Sequence, residues 1–183
     1  PFGEIEVDEE LARAIVNNSN YAELDYRAHI EEHSIEVQLP FLQFLYDNDF
    51  KIVPIAMALQ TPEVAKDLAR SIFDSIAVLK RDIVLIASSD FTHYEPHDIV
   101  VKKDLETIKA IEELDLKKFY STMQTLNVTA CGPGGIMTLM EYSLLVCKEK
   151  AGAKLLKYAT SGDTSGDRSA VVGYAAIRFF CRK

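Results

Sequence analysis

Asp90 and His93 lie three positions apart in the run Ser88-Ser89-Asp90-Phe91-Thr92-His93. A carboxylate within reach can hold an imidazole in one tautomer and strengthen it as a proton acceptor near neutral pH. The thiol of Cys131 stands immediately before Gly132-Pro133-Gly134-Gly135. Unpaired N–H groups where such a loop enters a helix favour thiolate over thiol, and a thiolate is a metal ligand or a nucleophile. The competing reading is a small buried residue at a tight helix entry, and residue types alone leave both open. The same loop offers N–H groups to an anion, but it lacks the lysine and the spacing of a phosphate-binding loop.

All four histidines fall in two pairs, His29/His33 and His93/His97, each with a spacing of four. His29-Ile30-Glu31-Glu32-His33 formally matches the inverted zinc-protease pattern, which requires a continuous helix. This stretch precedes a cap at Ser34 and lies beside Pro40, so the zinc reading is set aside. His33 has Glu32, Ser34, Glu36 and Gln38 close by, and both a hydrogen-bonded structural role and a pocket role stay open. His97 follows Pro96 and reads as a solvated histidine at a helix start. Cys147 and Cys181 read as packing residues. Three widely separated cysteines form neither a zinc ribbon nor a disulfide framework, which points to a reducing cytoplasm.

The elements that must position these groups follow from periodicity. Residues 82–87 are a short apolar run rich in β-branched side chains, predicting a buried strand whose carboxyl end carries Asp90 and His93. In open α/β sheets ligands bind at that edge. A second strand is expected over 51–59, broken at Pro54, and further strands over 155–161 and 170–180. Helices are predicted over 8–18, over 34–46 with either a kink at Pro40 or a true start near Leu39, from Thr61-Pro62 to about Leu79, over 98–114 and 115–123, and over 136–150. The charge-rich run from 101 to 120 reads as a solvated helix face with intrahelical ion pairs. Strands alternating with helices predict an α/β fold with a largely parallel sheet covered on both faces.

The 183 residues fit one domain with a substantial core. An apolar fraction of 48% and a charged fraction of 26% are ordinary for a globular protein. A formal net charge of −8 argues against nucleic acid as the main partner. No segment has the apolar run of a membrane span, and the first residues lack a signal-peptide pattern. The chain opens on Pro1-Phe2-Gly3 without an initiator methionine, which fits a piece of a longer protein.

Four separated stretches, in order, carry a specific resemblance. They are Glu32-His33-Ser34-Ile35-Glu36-Val37-Gln38-Leu39-Pro40, then Ser88-Ser89-Asp90-Phe91-Thr92-His93, then Cys131-Gly132, then Val172-Gly173-Tyr174-Ala175-Ala176. Together they resemble the signatures of the Memo family, whose prokaryotic members are called AmmeMemoRadiSam system protein B. The family is akin to the class III extradiol dioxygenases. The resemblance implies an αβα sandwich with a largely parallel or mixed sheet and a pocket for non-haem iron. It makes His93 the counterpart of the dioxygenase general base, and Cys131 the replacement for a carboxylate metal ligand. His33 is implied to line or support the pocket, and Asp90 to assist His93.

The family's Pro-His-Ala-Gly-Tyr and Ser-His motifs, each supplying a metal-binding histidine, do not occur here, so the chain resembles the carboxyl-terminal portion of the family domain. Iron or copper is therefore expected in the full-length protein, with Cys131 and His93 among its ligands, and weak or no metal binding by this chain alone. Losing half a sheet should leave a strand edge open to association, making an oligomer possible. The leading expectation is metal-dependent redox chemistry on a small molecule. The alternative is a non-catalytic pocket for a peptide or an acidic or phosphorylated ligand. A cysteine hydrolase using Cys131 and His93 ranks below both, because no oxyanion hole is evident. The family name also implies a functional link to a radical-SAM protein and an AMMECR-type protein. Cys147 and Cys181 show no iron–sulfur pattern, so this chain is not the radical enzyme.

Overall fold

The computed structural model describes residues 2–183 and is a mixed α/β arrangement of two small sheets and seven helices among those residues. Helix α1 (Glu9–Asn18) starts where the Asp8 carboxylate accepts the Leu11 N–H at 3.0 Å, with Glu9 and Glu10 in its positive first turn. Helix α2 (Leu39–Tyr46) begins beside Pro40, preceded by a single 3-10 turn. The long α3 (Pro62–Leu79) is capped by Thr61 and opened by proline, as the sequence predicts. Next come α4 (His97–Glu112), α5 (Leu116–Leu126), α6 (Pro133–Cys147) and the short α7 (Gly162–Ser165).

Strands depart more from expectation. Strand β1 (Glu6–Val7) pairs in parallel with β2 (Lys51–Ile52), and this is the one parallel ladder among the described residues. The second sheet, in order β3-β5-β4, is antiparallel: β3 (His93–Glu95), β4 (Ala151–Thr160) and β5 (Val171–Cys181). The β4–β5 hairpin holds the longest ladder, so the expected largely parallel sheet is not what these residues form. Residues 82–87 and 53–59 are not in a ladder at all, although their side chains alternate as in strands. Inner-facing Val53, Ile55 and Met57, and likewise Ile83 and Leu85, pack against Leu11, Ile15, Leu68 and Ile72 of α1 and α3. A strand's side-chain period survives there without its hydrogen-bonded partner.

The main core joins α4, α5 and α6 to the inner face of the hairpin. Phe119, Met137, Met140, Ile108 and Ile111 are fully enclosed. Each such side chain contributes about 1.5–3 kcal/mol by leaving water. The charge-rich helices do present ion pairs to solvent, among them Lys109–Glu106 and Lys118–Glu113. Asp104 is the exception: it is fully buried. It falls on the stripe Val100, Asp104, Thr107, Ile108 and Ile111 that faces the core. The His29–His33 stretch holds only the 3-10 turn Arg27–His29, too short to bring two histidines onto one helical face.

Cys147 and Cys181 are joined in a disulfide, correcting their reading as unpaired packing residues. The hairpin register sets Ala151 opposite Cys181, which brings the end of β5 back to the end of α6 with the two Cα atoms 5.2 Å apart. Sequence spacing hides this closure, and the cysteine pattern no longer argues for a reducing compartment. No helix among the described residues is long and apolar enough to cross a membrane. The bridge spans 34 residues. Restricting an unfolded loop of that size is worth about 3–4 kcal/mol in the chain-entropy description. Cys147→Ser should lower the unfolding free energy by that order in denaturant titration, and reduction should lower the parent to the same value while leaving the variant unmoved.

Candidate functional site

The end of the 82–92 segment is fastened to β5: Phe91 N–H donates to Gly173 O at 2.9 Å and Gly173 N–H to Thr92 O at 3.0 Å. One residue further on, the β3–β5 register shifts between His93 and Glu95. Tyr94 absorbs that shift with φ of 58°, a left-handed conformation uncommon for a bulky side chain. Bulges of this kind redirect neighbouring side chains. Here the bulge adjoins His93.

His93 is held at two points of one residue. Its backbone N–H donates to Thr129 Oγ1 at 2.8 Å, and its ring Nδ1 lies 2.8 Å from Thr129 O. A carbonyl only accepts, so Nδ1 carries the proton and Nε2 is left with the lone pair. Asp90 Oδ2 lies 3.6 Å from Nε2. The Thr129 carbonyl therefore sets the tautomer, in place of the carboxylate that the sequence suggested. Asp90 faces the nitrogen that would receive a proton, close enough to balance the charge once His93 is protonated.

Cys131 and Asp90 bind each other in both directions. Asp90 N–H donates to Cys131 Sγ at 3.1 Å, and Cys131 N–H donates to Asp90 O at 3.3 Å. Ser89 Oγ accepts the Gly132 N–H at 2.9 Å and lies 3.9 Å from the sulfur. Gln60 completes the clasp, donating to Cys131 O and accepting from Gly134 N–H, both at 2.9 Å. The Gly132 and Gly134 N–H groups at the start of α6 are thus satisfied by Ser89 and Gln60. The one N–H that reaches the sulfur comes from Asp90, not from the helix end. Gly132 is required here, because a Cβ would stand 2.5 Å from Ser88 O. Cys131 remains exposed.

His33 is exposed and lines an open cleft of about 1360 Å³ that also reaches Cys131, Gln38 and Ser88. Asp90 and His93 are not among the cleft-lining residues. Gln38 Nε2 donates to Ser88 Oγ at 3.3 Å, tying the His33 segment to the Asp90 loop. Glu32 accepts from Ser34 and Ile35 N–H groups and closes a local turn around His33. His97 is half-buried with Nδ1 2.9 Å from Thr160 Oγ1, which makes it part of the β4 end rather than a solvated residue.

Asp104 escaped the sequence reading. Its Oδ1 accepts from Thr92 N–H at 3.1 Å and Thr92 O–H at 2.6 Å, and its Oδ2 accepts the Tyr158 O–H at 2.8 Å. Burial pushes the carboxyl above the usual range, against the hydrogen bonds from Thr92 and Tyr158 that favour the charged form. Burial, then the bond to Asp104, pushes the Tyr158 phenol up as well. Gly173 completes the enclosure: a Cβ there would lie 1.8 Å from Asp104 Oδ2. Asp104 in the apolar stripe of α4 was the available signal.

Whether these residues suit a metal is a question of donor count. Among the described residues, no three of His, Cys, Asp and Glu converge on one point. Cys131 Sγ and His93 Nε2 are two donors, short of what an iron or copper site needs. The residues present do not by themselves fit a metal.

This is a mixed α/β chain with an imidazole and a thiol joined through one aspartate on adjacent loops, and its similarity to known proteins identifies its kin. The Memo-like protein family model matches residues 1–178. The chain is 52% identical over 181 residues to a MEMO1 family protein of Desulfurococcus amylolyticus, covering 98% of this chain and 62% of that protein. Relatives from Sulfolobus acidocaldarius and Saccharolobus islandicus, also called MEMO1 family proteins, are each 49% identical with the same coverage. The chain belongs to the Memo family, and it spans 62% of the length of these relatives.

Asp104→Ala would leave three buried donors without an acceptor, a loss of about 2–4 kcal/mol read as a lower melting temperature. Because its folded value is raised, Asp104 contributes stability that is present below the normal carboxylate range and lost as pH rises through the elevated value. Asp104→Asn, which keeps an acceptor for Thr92, should flatten that part of the stability profile when urea midpoints are compared across pH.

Proposed function

We propose that this chain carries the proton-accepting and thiol side of a dioxygenase-like redox pocket, completed in the full-length protein. The carrying observation is Asp90, whose N–H meets the Cys131 sulfur and whose carboxylate faces His93 Nε2. His93 presents an unprotonated Nε2 to accept a proton from a substrate hydroxyl, with Asp90 placed to balance the resulting charge. Cys131 offers an exposed sulfur held by the Asp90 N–H. The membership in the Memo family supports the αβα sandwich related to class III extradiol dioxygenases as the architecture of the complete domain. The metal of that domain, iron or copper, would take its further ligands from outside these residues, with Cys131 as this chain's donor, because the one free nitrogen of His93 is the proton acceptor. A thiolate in place of a carboxylate softens the donor set toward copper(I) and alters the iron potential. The radical-SAM and AMMECR-type proteins are the pathway partners this reading carries with it, and the cytoplasm its compartment.

Oxygen uptake with catechols by the full-length protein tests the reading. His93→Ala should lower the turnover rate by about 10²–10⁴-fold, the usual worth of a positioned base. Cys131→Asp should change the rate and the metal preference, measured by iron and copper content after anaerobic reconstitution. No oxygen uptake in the parent, with ligand binding that survives both metal removal and Cys131→Ser, would establish the non-catalytic pocket instead.

A further inference from the structure

Thr92, the residue before His93, is fully buried together with Asp104 of α4. Phe91 N–H and Thr92 O both pair with Gly173, which leaves the Thr92 N–H without a ladder partner on β5. Asp104 takes that N–H at 3.1 Å and the Thr92 hydroxyl at 2.6 Å, both on Oδ1. Tyr158 holds the other oxygen, Oδ2, at 2.8 Å. The carboxylate is confined on its far side as well, because β5 passes so close that only glycine fits at 173. Every polar group of Thr92 is therefore bonded, and one acceptor grips its backbone and its side chain together.

The peptide that follows carries the imidazole. Its carbonyl belongs to Thr92 and accepts from Gly173 N–H at 3.0 Å, while its N–H belongs to His93 and donates to Thr129 Oγ1 at 2.8 Å. The ring returns to the same threonine, with Nδ1 2.8 Å from Thr129 O. Two bonds to one residue close a small circuit, so a turn of the Thr92–His93 peptide would pull the ring off the carbonyl. On the other side of His93 the backbone enters the left-handed region at exposed Tyr94. The buried and fully bonded neighbour is Thr92. Supporting hydrogen bonds of this kind, from residues that never meet the substrate, hold a functional side chain to its geometry.

We propose that Asp104 is a positioning residue for His93. By gripping Thr92 it sets the peptide from which the imidazole hangs, and so keeps Nδ1 on the Thr129 carbonyl and Nε2 turned toward Asp90. Asp104 itself meets neither the ring nor the cleft; it acts through the residue between. The placement of the ring follows from these bonds alone, and its use as a proton acceptor rests on the redox reading above. Tyr158 has a different part: it secures the carboxylate from β4 without touching Thr92.

Histidine-selective 15N NMR of the full-length protein, at a pH of about 8.5 where imidazole is neutral, reads the ring directly. The His93 signals are assigned by their loss in His93→Ala. The parent should show the Nδ1–H tautomer with a protected ring N–H. Asp104→Ala and Thr92→Val should each lose that resonance and bring up the Nε2–H form, and Thr92→Ser, which keeps the hydroxyl, should retain it. If Asp104→Ala does not fold, Thr92→Val decides. Tyr158→Phe removes a bond to the same carboxylate and should leave the ring signal in place. An unchanged ring in Thr92→Val would overturn the proposal, and so would an equal loss in Tyr158→Phe, the result expected of a merely structural carboxylate. In oxygen uptake, kcat of Thr92→Val should fall by up to about a hundredfold with KM little changed. Loss of the ring signal in Thr92→Val, together with no oxygen uptake by the parent, would support the positioning role and overturn the redox reading.

Discussion

Two loops far apart in sequence meet at Cys131 and Asp90, and every statement about chemistry in this chain depends on that contact. The pair exchanges two hydrogen bonds, sulfur accepting from one backbone and carbonyl from the other. The approach is close enough that only glycine fits at position 132. Ser89 and Gln60 take up the Gly132 and Gly134 N–H groups at the start of α6. A small polar network thus joins the two loops, and the thiol is left exposed.

His93 is fixed from a different direction. Thr129 holds its backbone and its ring, β5 holds the preceding residues, and Asp104 holds Thr92 from beneath. A buried carboxyl is expensive unless its oxygens are paired, and here both are. Enclosing it requires a glycine at 173 and a phenol at 158. The signature around Gly173 therefore has a physical role: it lets β5 pass over Asp104. Strain at Tyr94, beside the histidine, is sustained by these surrounding bonds.

The cleft side of the molecule is built differently. The α1–α3 layer carries two extended segments whose inner faces are packed and whose edges are bare. The hairpin side is complete, closed by the disulfide at its open end. Among the described residues, no three of His, Cys, Asp and Glu converge on one point.

Local chemistry was legible from residue order. Asp8 and Thr61 cap their helices through bonds three residues away, and Pro62 sits at a helix start, because capping is decided within one turn. The side-chain alternation of 82–87 was legible too. Pairing was not. Whether an alternating run gains a ladder depends on a neighbour's backbone, so 82–87 and 53–59 read as strands and stand unpaired. The register that brings Cys181 to Cys147, the burial of Asp104 in a charge-rich helix, and the Thr129 carbonyl that sets the His93 tautomer all arise from contacts between segments 34 or more residues apart or across packed layers. Such contacts depend on how the whole chain closes, and short-range pattern carries no record of them.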